Sequence, residues 1–368
     1  MDQVVPRNIV VSAVNLRKGG TLTVLRDCLS YLSNCPELHV TAIVHKRNLA
    51  DFQGIDYIEI PWSIRSWAHR LWCEYVTMRG ISKRLPETDL WLSLHDTTPF
   101  VKAKKQAVYC HTPFPFMKPR REDWKMDYKI PLFSYLTRFA YRINVHRNRY
   151  LVVQQLWMRD AMSKLLNFEV RRIIVAPPAF RPIDIPQNPQ ASTPPVFIYP
   201  ATADIHKDFE TLCEAASQLE KRIGKNRFKV LLTIKGDENR YAAWLRDNWG
   251  DVDSICFGGL LGREELGAAF GASSCLVFPS RAETWGLPIS EFLPSGKPMI
   301  LADLPYAHET AAGAKCVRFF PVRDAEALSS CMMDLLDGHT EAFGSIPPLS
   351  FDEPYAPSWE ALFKLLLS

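Results

Sequence analysis

The chain has 368 residues, enough for two ordinary domains, with 47% hydrophobic and 23% charged residues and a net charge of +4. That composition belongs to globular proteins, and the charge excess is too mild to argue for nucleic acid, which is not an expected partner. The nine cysteines are scattered through apolar runs with no CxxC pair, so buried free thiols in a reducing compartment are expected and a zinc site is not.

In chain order, the start "MDQVVPRNIVVSAV" goes straight into a strand-like run, so no secretory leader is expected. The strand "NIVVSAV" is followed by the glycine turn "RKGG" and by a helix in which Leu22, Leu25, Leu29 and Leu32 recur at helical spacing. Strand patterns follow at "LHVTAIVH", "DYIEI", "DLWLSL", "AVYC", "YLVVQQ" and "RRIIVAPP". A second series reads "PVFIYPA", "FKVLLTIKG", "SICFGG", "CLVFPS" and "PMILAD". Continuous apolar strands alternating with helices predict parallel sheets covered on both faces. Residues 177–195 hold seven prolines and no periodic pattern, which predicts a linker. The expected organisation is therefore a domain over 1–180, a linker over 181–195, a second domain over 196–350 and a C-terminal helix within 351–368 packing back on the first domain. The fold class is α/β, two Rossmann-like doubly wound domains, with a ligand cleft expected between the carboxyl edges of their sheets.

The stretch "PSRAETWGLPISEFLPSGKP" places Glu283 just after a buried strand and Glu291 eight residues on, about one turn inside a helix that Pro288 opens. Backbone N–H groups near Trp285 to Ile289 then suit a diphosphate. Each carboxylate can accept two hydrogen bonds from neighbouring sugar hydroxyls. A second reading stands beside this one: Glu291 as an ordinary helix-start acid and Glu283 as a solvated loop residue.

"E-T-W-G-L-P-I-S-E" with "SGKP" resembles the E-x7-E signature of the retaining glycosyltransferases of family four, which have the GT-B fold. The likeness is dense from about 196 to 312, through "YPATADIHKDFETLCEA", "FKVLLTIKGDENRYAAWLRD" and "CFGGLLGREELGAAFGASSCLVFPSRAET". It is thinner earlier, at "NLRKGGTLTVLRDCLSYL", "VYCHTPFPF" and "VVQQLWMRDAM". The resemblance implies that Glu283 holds donor-sugar hydroxyls and that Glu291 holds the ribose. It implies that Lys207 balances the diphosphate charge, assisted by the N–H groups of Gly286 and Leu287 with Thr284 beside them. Gly236 is then expected near the base, Gly19 and Gly20 near the phosphates or sugar, and His111 near the transferred sugar or the acceptor hydroxyl. Members usually carry an arginine five positions before the lysine; here that position is Thr202, with His206 or another basic residue as the expected replacement.

Without the resemblance, Lys207 is either a solvated lysine or a cation placed at a helix start for an anionic ligand. His111 is either structural or catalytic, and Gly19 and Gly20 form either a plain turn or a ligand loop. Residues 117–149 hold nine Lys or Arg against three acids, interleaved with aromatics. They are either solvated helix surface or a face for anionic lipid, and "WSIRSWAHRLWCEYVTMRGISKRL" raises the same choice. No DxD-like metal site stands in a plausible position, so no metal or other cofactor is expected.

The expected function is metal-independent, retaining transfer of a hexose or deoxyhexose from a GDP- or UDP-sugar. The expected acceptor is a glycan, in particular a lipid-linked O-antigen or capsule chain. The expected location is the cytoplasm, peripheral at the inner face of its membrane. A non-enzymatic scaffold in a polysaccharide assembly complex and a sugar-nucleotide epimerase on the same fold are the alternatives.

Overall fold

The computed structural model describes residues 6–186 and 192–368. Residues 187–191 of the expected linker lie outside them, and the flanking 181–186 carry neither helix nor strand.

The chain divides into two compact units. The first comprises residues 1–115, 135–179 and 351–368, and the second comprises 116–134 and 180–350. Strands β1 (Arg7–Ala13), β2 (Leu38–Val44), β3 (Ile55–Glu59), β4 (Leu90–Ser93), β5 (Lys105–Tyr109), β6 (Tyr150–Val153) and β7 (Ile173–Val175) build a seven-stranded sheet in the order β3-β2-β1-β4-β5-β6-β7. Every pair in it is parallel. Strands β8 (Val196–Tyr199), β9 (Lys229–Leu232), β10 (Ile255–Phe257), β11 (Cys275–Phe278), β12 (Met299–Ala302) and β13 (Val317–Phe320) build a second, six-stranded sheet ordered β10-β9-β8-β11-β12-β13. It too is parallel throughout.

The runs rich in Val, Ile and Leu become central strands because both of their faces are covered. On one face of the first sheet, Leu25, Leu29 and Leu32 of the helix Gly19–Leu32 pack with Val11 and Val40. On the other, Val10 and Ile43 meet Met78 and Ile81. The C-terminal helix Trp359–Leu367 joins the first of these cores through Leu362, Phe363 and Leu366, and residues 351–358 before it are not helical. Around the second sheet several aromatic pairs join the aliphatic core: Phe197 meets Phe228 edge-on, as Phe270 meets Phe292.

Residues 116–134, which the sequence places in the first domain, group with the second unit instead. The physical reason is a buried ion pair that anchors them there, described below. Three cysteines also depart from expectation: Cys256 is exposed, and Cys35 and Cys316 are half-buried. Among the described residues, no helix is long and apolar enough to cross a membrane.

In each sheet the strand order reverses beside the first strand of its unit, between β1 and β4 and between β8 and β11. Loops leaving the carboxyl ends of such strands diverge to opposite faces, and this is where open α/β sheets bind ligands.

Candidate functional site

The switch point of the second sheet brings Lys207 and Glu283 together. After β8 the chain makes one 3-10 turn, Ile205–Lys207, and after β11 it enters the loop bearing Glu283. Lys207 Nζ donates to Glu283 Oε1 at 2.5 Å, and the two side chains are only 16% and 13% exposed. Partial burial strengthens such a pair relative to one in open solvent.

The turn carrying Lys207 is held by several donors. Tyr199 Oη donates to the Lys207 carbonyl at 2.6 Å. The Arg281 backbone N–H donates to the His206 carbonyl at 2.8 Å, and Arg281 Nη2 donates to the Ile205 carbonyl, also at 2.8 Å. Arg281 is fixed in turn by Asp123, whose carboxylate accepts from Nη1 at 3.0 Å and from Nη2 at 2.8 Å. Both side chains of this bidentate pair are 4% exposed. Next to Lys207, buried Asp208 adopts a left-handed backbone with φ of +56° and leads into the helix Phe209–Ile223. Burial raises its carboxyl pKa well above the usual range, and the neighbouring Glu210 adds to the shift.

The loop around Glu283 is clamped from several sides. Tyr306 Oη donates to the Ser280 carbonyl at 2.6 Å, Thr310 Oγ1 donates to the Trp285 carbonyl, and Trp285 Nε1 donates to Ser290 Oγ at 2.7 Å. Thr284 is half-buried between them. Gly286 takes a left-handed φ of +85° and leads into the six-residue helix Leu287–Phe292. A side chain there would be strained, so the turn needs glycine. Pro288 is the second helical residue rather than the first, as Leu287 opens the helix. Glu291 lies on this helix with its side chain 16% exposed and Arg263 Nη1 at 3.8 Å. Burial pushes its carboxyl pKa up, and Arg263 opposes the shift.

Gly236 follows β9, the neighbour of β8, and so lies on the same carboxyl edge. Its φ is +91°, and a Cβ there would stand 2.7 Å from Arg246 Cδ, so both backbone and space exclude a side chain.

In the first unit, Gly19 with φ of +62° and Gly20 open the helix Gly19–Leu32 and are exposed. His111 follows β5, is buried, and stacks on Tyr109 with centroids 4.4 Å apart. Asp96, itself at φ of +69°, accepts from the His111 N–H at 2.5 Å and from the Thr112 N–H and hydroxyl at 3.1 and 3.0 Å. Burial lowers the His111 pKa while Asp96 raises it, and the net shift is downward. The ring is therefore neutral at neutral pH and suited to hydrogen bonding rather than to charge balance.

The structure thus gathers Lys207, Glu283, Thr284, Gly286, Leu287, Glu291 and Gly236 along one sheet edge of the second unit. Gly19, Gly20 and His111 lie on the corresponding edge of the first. It also answers the question raised by Thr202, whose hydroxyl donates to Asp204 Oδ2 at 2.6 Å and carries no charge. His206 does not replace the missing arginine: burial pushes its pKa well below the usual value, with Lys207 and Arg281 pushing the same way, so it is neutral. Arg281 is committed to Asp123. Of this group, Lys207 alone offers its charge to a ligand through a side chain that is not sealed in.

Sequence reasoning missed Arg281 and Asp123. Arg281 carried a faint signal, a cation two residues before Glu283 in an apolar run. Asp123 carried none, being 158 positions away. Among the described residues, no group of three or more His, Cys, Asp or Glu side chains is placed to hold a metal ion.

Residues 180–342 match the family described as glycosyl transferases group 1. The O-antigen chain mannosyltransferase RfbU of Salmonella typhimurium is 22% identical over 218 residues, 58% of this chain and 56% of that protein, so the match spans little more than half of the curated relative. Among solved structures, the sucrose-phosphate synthase of Thermosynechococcus elongatus aligns with a TM-score of 0.64 at 15% identity, covering 91% of each chain. WaaG, a glycosyltransferase involved in lipopolysaccharide biosynthesis, aligns with a TM-score of 0.62 at 16% identity, covering 89% of this chain and 91% of that one. HepE of Anabaena, solved with UDP and glucose, aligns with a TM-score of 0.61 at 13% identity, covering 91% of each. At these identities the structural likeness establishes the fold.

Proposed function

From a chain of GT-B fold whose residues 180–342 form a group 1 glycosyltransferase domain, we propose a retaining, metal-independent transfer of a hexose or deoxyhexose from a nucleoside diphosphate sugar to a glycan. The observation that carries this reading is the Lys207–Glu283 pair at the switch point of the second sheet. A diphosphate beside Lys207 meets a fixed cation where negative charge develops as the sugar leaves. Glu283, already bonded to Lys207, keeps its second carboxylate oxygen for sugar hydroxyls. Glu291 accepts from the ribose, and the Gly286–Leu287 turn and Gly236 let backbone approach the phosphates and base closely. In the front-face route the departing phosphate oxygen takes the acceptor's proton, so no enzymic nucleophile is needed. Neutral His111 donates to or accepts from the transferred sugar or the acceptor hydroxyl.

The mannosyltransferase relative and the UDP-bound neighbour motivate two donor classes, GDP-sugars and UDP-sugars. The O-antigen and lipopolysaccharide relatives motivate a lipid-linked glycan acceptor at the inner face of the cytoplasmic membrane.

The experiment is a thermal-shift screen with GDP, UDP, ADP, dTDP and their common sugar conjugates. One nucleoside diphosphate is expected to raise the melting temperature, and Glu291→Ala to abolish the rise. The direction with pH follows from Glu291. Burial raises its pKa, so on acidification it takes up a proton before an ordinary carboxylate does and loses its strength as an acceptor. The nucleotide-induced shift, read as the difference between melts with and without ligand, is expected to shrink as pH falls from 7 towards 5. In Glu291→Gln it is expected to be smaller and flatter. A folded protein that responds to no nucleotide overturns the transferase and leaves the scaffold reading.

A further inference from the structure

Asp96 holds His111 from an unfavourable backbone. No side chain bonds either ring nitrogen of His111, so the place of its ring is set by the Tyr109 stack and by its own backbone. The Asp96 carboxylate fixes that backbone by accepting from the N–H groups of His111 and Thr112. To do so, Asp96 takes a left-handed φ of +69°, a conformation that persists only where the surroundings enforce it.

The enforcement comes from the residues on either side. The His95 carbonyl accepts from Arg70 Nη2 at 3.3 Å, and the Thr97 carbonyl accepts from Ser93 Oγ at 2.8 Å. The side chains of His95 and Thr97 then converge on one carboxylate. Glu74 accepts from the Thr97 hydroxyl, and its Oε1 lies 3.4 Å from His95 Nδ1. It also accepts from Arg70 Nε, so the same acid holds the arginine that holds the His95 carbonyl. On the other side of the ring, His95 Nε2 meets Ser12 Oγ at 3.0 Å, and Ser12 Oγ accepts from Trp91 Nε1 at 3.0 Å. Glu74 and His95 are each 1% exposed, so little water competes for these bonds. Burial pushes the His95 pKa down to about 4 against the pull of Glu74, so its ring is neutral at neutral pH. The counter-charge of Glu74 is therefore Arg70.

Glu74 reaches this place through an interruption of its helix. The helix Trp67–Trp72 passes through one π turn, Cys73–Thr77, into the helix Met78–Arg84. Cys73 and Met78, five residues apart, both join the core on one face of the first sheet. In a regular helix they would point about 140° apart. The wider turn seats Glu74 inside, next to Cys73. Such turns are rare and occur mostly at functional sites. A buried charge pair is also a poor device for stability alone.

We propose that Glu74 is a positioning residue for sugar transfer: through Thr97, His95 and Arg70 it holds Asp96 in its left-handed form, and Asp96 in turn places His111 against the transferred sugar or the acceptor hydroxyl. This rests on the role given to His111 above and adds a residue that touches neither substrate.

The test has two readouts on the full chain. In protein labelled with ¹³C-histidine, the ring signal of His111, identified by its absence from His111→Ala, is expected to shift in Glu74→Gln. The histidine signals of the second unit are expected to stay in place. Turnover is read as nucleoside diphosphate released from GDP-mannose or UDP-glucose. Glu74→Gln is expected to lower kcat about 10- to 100-fold, the scale of a small misplacement at a reacting centre. The donor KM and the nucleotide-induced thermal shift are expected to stay unchanged, since the donor groups belong to the second unit. In a His111→Ala background, Glu74→Gln is expected to change kcat by no more than about twofold, because the group it acts through is gone. Thr97→Val, which leaves the Glu74–Arg70 pair intact, is expected to give a smaller effect of the same pattern and keeps the test open if Glu74→Gln does not fold. A merely structural Glu74 lowers the melting temperature but leaves the His111 signal and the kcat of the folded protein at their wild-type values, and that result overturns the proposal. Full additivity with His111→Ala overturns it as well. A His111→Ala protein with wild-type kcat removes the role of His111 and this proposal with it. The donor site is judged separately, by the nucleotide-induced thermal shift.

Discussion

Lys207→Ala is expected to lower kcat for sugar transfer about 10²- to 10³-fold, the usual effect of removing one preorganised charge from a site where negative charge develops. The expectation is at the upper end because the basic groups beside the Lys207 turn, His206 and Arg281, are not available. Thr202 is neutral, burial drives the His206 pKa well below its usual value, and Arg281 is tied to Asp123 by two hydrogen bonds. KM for the donor is expected to move far less, since the charge on the leaving diphosphate grows mainly in the transition state. Lys207→Ala also leaves Glu283, 13% exposed, without its partner. Glu283→Gln and the double variant are therefore measured alongside it; strong non-additivity is expected because the two groups share one contact. Steady-state kinetics with and without EDTA provide the check. Unchanged wild-type rates in EDTA are the expected result, and a Lys207→Ala enzyme with wild-type kcat removes Lys207 from the reaction.

Asp123→Ala is expected to cost about 3–5 kcal/mol of stability, the range for breaking a buried ion pair by deleting one partner. The reason is the charge left behind: Arg281 is 4% exposed, and its guanidinium would remain in the interior with its main counter-charge gone. Arg323 Nη2, 3.7 Å from the same carboxylate, would lose its neighbour too. Replacing both members with apolar residues, Asp123→Leu with Arg281→Met, is expected to cost less than the single deletion, because no unpaired charge stays buried. Urea unfolding followed by tryptophan fluorescence measures this, and a single variant within 1 kcal/mol of wild type contradicts it. Activity is expected to fall with stability, since Arg281 also holds the Ile205 carbonyl of the turn that carries Lys207.

The donor half of the candidate site was legible in the sequence because its parts are local. Glu283, Gly286 and Glu291 lie within nine consecutive residues, and the glycine and proline around them announce a turn and a helix start. Lys207 was legible through its position just after a strand and just before a helix. The partner that locks the site was not. Asp123 comes from the chain between β5 and β6, a segment that patterning assigned to the wrong unit, and nothing local distinguishes it from Glu122 beside it. Likewise, "His206 next to Lys207" reads as two cations in sequence, and burial makes it one.

The sequence by itself determined the two parallel sheets, because an apolar run long enough only for a strand must be covered on both faces, and alternating helices are what cover it. It also determined which loops carry the carboxylates and the lysine. Tertiary structure alone decided which of the charged groups keep their charge and which of them are sealed into pairs. Both depend on how much water remains around a group once distant segments have packed. Desolvation acts through space, and periodicity along the chain does not record it.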